Sequence, residues 1–148
     1  MQAREIMTEN PVVCTPFDSV RAAARMMTDN NCGMLPVVDD QANRRLLGVI
    51  TDRDIVCRIL ATDMNCDTAT AENAMTSGKL WTVMPDASVD EVIDKMEEGQ
   101  VRRIAVVDNN GSVVGVIATA DIALEIEEPE EIAEVFEEIS EPTGSPHI

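Results

Sequence analysis

Gly48-Val49-Ile50-Thr51-Asp52-Arg53-Asp54-Ile55 is the stretch whose reading decides the fold. Three apolar or β-branched residues after a glycine read as the end of a buried strand, and the polar residues that follow open a helix. A threonine before a helix with an acid three positions later is a capping box. The same pair has a second reading. A hydroxyl and a carboxylate aimed off the C-terminal end of a strand form a polar clamp, and such strand ends hold ligands in α/β units, where a carboxylate suits a ribose diol. Recurrence of the stretch weighs between the two.

The stretch recurs as Gly115-Val116-Ile117-Ala118-Thr119-Ala120-Asp121-Ile122. Glycine, apolar run, aspartate and isoleucine return in the same positions, so the chain is read as a duplication before any other fold argument. Around the first copy, Ser19 is an N-cap for a helix with Val20, Ala23, Ala24 and Met27 on one face. Met34-Leu35-Pro36-Val37-Val38 is a buried-type strand, and Pro36 marks an edge or a gap in pairing. Asp39 to Arg45 is a polar hairpin loop. In the second half, Ser88 and Glu91 form a capping box for a helix with Val89, Val92, Ile93 and Met96 on one face. Ile104-Ala105-Val106-Val107-Asp108 repeats the proline strand, and Ala74-Met75-Thr76 repeats Ile6-Met7-Thr8. Val12 to Thr15 and Leu80 to Met84 are the short opening strands, with Trp81 at the place of Val12. The polar, alanine-rich stretch from Ala61 to Asn73 reads as a linker.

Composition bounds the function. The 148 residues are 45% apolar, enough for a packed core. The longest apolar runs are too short to span a bilayer, and Met1 to Ile6 lacks the apolar core of a secretion signal, so the expectation is a cytoplasmic protein without membrane partners. A net charge of −17 disfavours nucleic acid. Nine glutamates and no Lys or Arg fall between Glu125 and Ile148. There, Ile126, Ile132, Val135, Phe136 and Ile139 follow helical spacing, which predicts an acidic amphipathic helix beyond Pro129 and loose residues around Pro142, Gly144 and Pro146. Cys14, Cys32, Cys57 and Cys66 lack metal-site spacing and His147 is the single histidine, so no metal ligands are assigned. Pairing of Cys14 with Cys32 stays open. No nucleophile–base pair and no phosphate-cradling glycine loop is visible, which speaks against an enzyme. In so acidic a chain, Arg53, Arg102 and Arg103 are the candidate phosphate contacts.

Two copies of a Met-Thr start, an apolar-x-Val-Val-Asp strand and a Gly-apolar-apolar-x-x-x-Asp turn resemble a tandem pair of cystathionine β-synthase (CBS) domains, a Bateman module. The resemblance covers roughly residues 1 to 126. Thr51-Asp52-Arg53-Asp54-Ile55-Val56, Thr68-Ala69-Thr70-Ala71 and Met96 to Arg103 are similar to small stand-alone bacterial CBS-pair proteins. The resemblance implies a mixed α+β fold of two β-α-β-β-α repeats about a pseudo-twofold axis, and the acidic C-terminal helix read from the spacing follows them. Repeat 1 is expected at 1–62, a linker at 63–73, repeat 2 at 74–126, and the acidic helix and tail at 127–148. It further implies a homodimer, an unidentified regulated protein as partner, and an adenosine ligand (AMP, ADP, ATP, S-adenosylmethionine or NAD) in the clefts, with no cofactor in the catalytic sense. The family's ribose clamp carries over to Thr51 and Asp54. In the second repeat Asp121 matches, but Ala118 replaces the hydroxyl residue and Thr119 falls one place late. The adenine walls would be Val12, Val13 and the strand at Pro36, with backbone groups freed by the proline; Trp81 would face the second cleft. The rival expectation is an interaction or stress-response module that acts through its dimer surface, with Ile55, Ile59, Ile122 and Ile126 turned to a partner.

Overall fold

The computed structural model describes residues 1–126 and 129–140. Their order is α1 (Ala3–Ile6), β1 (Thr8–Glu9), α2 (Val20–Asp29), β2 (Met34–Val38), β3 (Leu46–Thr51), α3 (Asp52–Arg58), a 3-10 turn (Leu60–Thr62), α4 (Ala71–Ala74), β4 (Thr82–Val83), α5 (Val89–Gly99), β5 (Arg103–Val107), β6 (Val113–Ala118), α6 (Thr119–Glu125) and α7 (Pro129–Ser140). The fold is mixed α+β, and it falls into two compact units built from interleaved pieces of the chain.

The unit that carries Thr51 consists of Asn10–Leu80 with the hairpin tip Asn109–Val113. β2 and β3 pair antiparallel, Leu35 opposite Ile50 and Pro36 opposite Val49, with an irregularity between Val37 and Val38. All five residues of β2 are buried, as a short unbroken apolar run demands. The Ser19 hydroxyl accepts from the Ala22 N–H at 3.0 Å and starts α2, whose Val20, Ala23 and Met27 enter the core. Leu35, Ile50 and Ile59 are fully buried beside them.

The unit that carries Asp121 consists of Met1–Glu9, Trp81–Asp108 and the described residues from Val114 on. Its sheet runs β1-β6-β5-β4, with β1 antiparallel to β6 and β4 parallel to β5. Ser88 caps α5 by accepting from the Glu91 N–H at 3.1 Å. Val92, Met96, Ile104, Ile117 and Ile122 form the core. The acidic helix of the tail is present as α7, and Val135 and Ile139 close that core. Pro142, Gly144, Pro146 and His147 lie outside the described residues.

Each Met-Thr segment completes the unit built on the other repeat's strands. Thr8 and Glu9 pair with Val116 and Gly115, whereas Thr76 exchanges hydrogen bonds with Val49, at 2.8 and 3.0 Å. Glycine is required at both landing points. A Cβ on Gly48 would stand 2.6 Å from the Thr76 carbonyl oxygen and 3.0 Å from Met75 Sδ, and one on Gly115 would run into the Met7 side chain.

Several sequence expectations change. Val12 to Thr15 is not a strand: only Cys14 bridges to Val37, in parallel. The stretch read as a linker ends in α4, where the Thr70 N–H donates to Asn73 Oδ1 at 2.9 Å. Ala69, Ala71 and Ala74 are buried because their small side chains let this segment lie close against the core. Ile55, Ile59 and Ile122 do not face outward; they fill their own units, and Ile126 packs against the same core as Ile122. All four cysteines are free thiols, and burial, with Asp18 nearby, pushes Cys14 up to about 12. Among the described residues no helix is long and apolar enough to cross a membrane.

Candidate functional site

β3 ends at Thr51, whose extended backbone (φ −115°, ψ 163°) hands the chain to α3. The Thr51 hydroxyl accepts from the Asp54 N–H at 3.1 Å, and Asp54 Oδ2 accepts from the Thr51 N–H at 3.0 Å. Both halves of the capping box are therefore made. The Asp54 side chain is 15% exposed, and its Oδ1 lies 3.9 Å from Arg58 Nε on the next turn. Arg58 Nη1 also donates to the carbonyls of Ala74 and Met75, at 3.1 and 2.7 Å. Arg58 thus ties the carboxylate to the segment that covers Gly48, a role that spacing alone did not single out, although position i+4 from an acid on a helix is its signal. A carboxylate accepts through about four lone-pair sites, so the cap leaves Asp54 with acceptor capacity toward a diol.

Pro36 acts on a different atom from the one expected. Its own carbonyl is not free: it accepts from the Cys14 N–H at 3.0 Å, and the Val38 N–H donates to the Cys14 carbonyl at 2.8 Å. Continuing that parallel ladder by one rung, residue 36 would donate to the Val12 carbonyl, and proline has no N–H to give. No hydrogen bond to the Val12 carbonyl is recorded among the described residues. Toward β3 the proline costs nothing, because Val49 opposite it directs both backbone groups to Thr76. The result is an acceptor on half-buried Val12 with buried Val13 beside it, in the same unit as Thr51 and Asp54. Arg53, on the first turn of α3, is exposed.

The second repeat keeps the backbone and loses parts of this arrangement. Ala118 (φ −107°, ψ 163°) matches Thr51 in conformation, and its N–H donates to Asp121 Oδ2 at 2.8 Å, but no hydroxyl answers the Asp121 N–H. At the place of Arg58 stands Glu125, and at the place of Pro36 stands Ala105. With a donor restored there, Thr82 and Val83 pair with Ala105 and Val106 as a true parallel strand. Thr119 does not cap α6; its N–H donates to the Arg102 carbonyl at 3.0 Å. Exposed Arg102 and half-buried Thr119 line a cavity of about 230 Å³ with Phe136, Ile139 and Ser140 of α7. Arg103 is half-buried at the start of β5, and Trp81 packs on the core with Lys95 Nζ 6.0 Å from its ring centroid. Among the described residues no cluster of His, Cys, Asp or Glu could hold a metal ion.

Comparison with known proteins agrees with this architecture. Hypoxic response protein 1 of Mycobacterium tuberculosis is 36% identical over 126 residues, which are 85% of each chain. Its crystal structure, which holds two coordinated zinc ions, superposes with a TM-score of 0.76 over 85% of this chain and 99% of that one. The CBS domain pair of protein MJ0100, in complex with 5′-methylthioadenosine and S-adenosyl-L-methionine, is 30% identical, with a TM-score of 0.75 over 84% of this chain and 94% of that one. CBS domain protein PAE2072 from Pyrobaculum aerophilum, complexed with AMP, is 25% identical, with a TM-score of 0.78 over 90% and 99%. The CBS domain family matches twice, at residues 3–61 and 71–128, and with both repeats accounted for the chain belongs to that family.

Proposed function

We propose that this chain is a non-catalytic regulatory module that senses an adenosine-containing ligand: AMP, ADP or ATP, or else S-adenosylmethionine or NAD. The observation that carries the reading is the presence, in one unit, of the Asp54 carboxylate held by its helix cap and of a Val12 carbonyl that Pro36 leaves without a ladder donor. Asp54 accepts the ribose hydroxyls, and Thr51 holds it in place. The Val12 carbonyl accepts from the purine amino group, with Val13 and Pro36 as apolar walls. Arg53 lies on the turn where phosphates would leave the ribose, and Arg102 and Arg103 are the candidate phosphate contacts of the other unit. Complexes of MJ0100 and PAE2072 with adenosine compounds support the ligand class. The ligand is regulatory rather than a cofactor. The protein works in the cytoplasm and passes the signal to a regulated protein.

A second reading has its own observation. Val56 on α3, Leu60 in the 3-10 turn and Met64 just beyond it are large apolar residues that are 54%, 56% and 41% exposed. These side chains suit a homodimer face better than the buried isoleucines do, and an interaction or stress-response module acting through them needs no ligand.

A thermal-shift series with AMP, ATP and S-adenosylmethionine tests the first reading. A ligand at about a hundred times its Kd adds about 2.7 kcal/mol, which raises the Tm of a domain of this size by several degrees. No shift with any adenosine compound transfers the case to the interaction reading.

A further inference from the structure

Helix α7 lies beyond the second family match and carries five glutamates, Glu130, Glu131, Glu134, Glu137 and Glu138, with no Lys or Arg. It packs on α5, which carries Asp90, Glu91, Asp94, Glu97 and Glu98 against the single cation Lys95. The seam is apolar, since Val135 and Ile139 are buried with Val92 and Met96. Its rim is acid facing acid. A polar contact across the seam is weak: Gln100 Nε2 donates to the Glu138 carbonyl at 3.4 Å, while Gln100 Oε1 is buried with no hydrogen-bond partner among the described residues. Gln100 itself sits in the left-handed region at φ 49°. α7 also supplies Phe136, Ile139 and Ser140 to the cavity at Arg102 and Thr119.

We propose that α7 is a releasable strap: its apolar seam seats it on α5 and over the cavity at Arg102 and Thr119, and the facing carboxylates of the two helices push it off. The charge on those carboxylates sets the balance between the closed and open cavity. This does not depend on which ligand either repeat binds. The groups that face Glu138 are Glu97 and Asp94 from α5 and Glu134 and Glu137 from α7 itself. The cations of the same unit near the seam are Arg102 at the cavity and Lys95 over Trp81, and neither forms a recorded ion pair with Glu138 among the described residues. Partial loss of water first, and then Glu97, Glu134, Asp94 and Glu137, hold the Glu138 carboxyl above the usual carboxylate value. The docked strap therefore binds its proton more tightly than the released one. Docking is fully supported below the released-state value and weakens as the pH rises through the docked one, so the strap is firmest in mild acid and loosest at neutral pH and above. Salt screens the same repulsion and firms it as well.

Amide hydrogen exchange on the full chain, corrected for intrinsic rates, reads this directly. Between about pH 8 and about pH 4.5, the ordinary carboxylate value, protection of the α7 amides should rise relative to β5 and β6 by a small factor, since exposed charge contacts are individually small. About 0.5 M NaCl at the higher pH should give part of the same gain. The amide NMR shifts of Arg102 and Thr119 should move along with α7. Glu138→Gln and Glu97→Gln should each raise protection at the higher pH and flatten both responses, whereas Glu130→Gln should leave them as they are. The proposal is overturned if α7 is protected like the core strands at every pH and salt, if it is unprotected throughout, or if Glu138→Gln responds like the parent chain.

Discussion

Thr51 and Ala118 leave their strands with nearly the same backbone, yet one turn carries a complete hydroxyl–carboxylate box and the other half of one. The difference extends outward. Asp54 is backed by Arg58 and shares its unit with the donor gap at Pro36; Asp121 is followed by Glu125, and Ala105 closes the corresponding gap. The strand-to-helix geometry therefore does not need the hydroxyl. Packing of Ile50 and Ile55, or of Ile117 and Ile122, is enough to set it. What the hydroxyl, the arginine and the proline add in the first repeat is a held carboxylate and an unclaimed carbonyl, the two groups on which the proposed ligand reading rests.

The contrast is sharpened first at Asp54. Asp54→Asn keeps the shape but removes a charged acceptor worth about 1.5–3 kcal/mol, so AMP affinity should fall roughly ten- to hundredfold; Asp121→Asn should change it little. Equal loss in both variants would erase the asymmetry. Next comes the close approach at Gly48. Its added Cβ meets a backbone carbonyl, so Gly48→Ala should destabilise the chain by about 1–3 kcal/mol in denaturant unfolding. Gly115→Ala should cost less, because Met7 is a flexible side chain.

Ala118→Thr restores the missing cap in a backbone that already accepts it, and a stability gain of about 1 kcal/mol is expected, with no gain from Thr51→Ser. The smallest effect belongs to Pro36→Ala. Its new N–H would satisfy the Val12 carbonyl and compete with a purine amino group, lowering AMP affinity by the worth of one neutral hydrogen bond, about 0.5–1.5 kcal/mol. Stability should hardly move, since the added rung offsets the greater freedom of the unfolded chain.

The duplication and the two strand-to-helix turns were legible in the sequence because they rest on local chemistry: period-two and period-3.6 patterns, a glycine, and an acid three residues after a cap. The acidic helix was legible for the same reason, and Val135 and Ile139 are where its spacing put them. What was not legible depends on who lies across from whom. Met7 and Met75 head their own repeats in the sequence, yet each seats on the other repeat's glycine, a long-range choice that no window of residues reports. Pro36 announced a gap, but the atom left over belongs to Val12 and is found only once the parallel register of Cys14 with Val37 is known. Four-residue α4 was hidden by its alanines, which carry little periodic signal.

The central claim is that the two repeats differ as ligand sites, and calorimetric titration of the full chain with AMP measures it most directly. The account predicts a single class of site, one AMP per chain, whose heat is abolished or moved to far higher ligand concentration by Asp54→Asn and kept by Asp121→Asn. Two equivalent sites per chain, or one site that survives Asp54→Asn and is lost with Asp121→Asn, would contradict it.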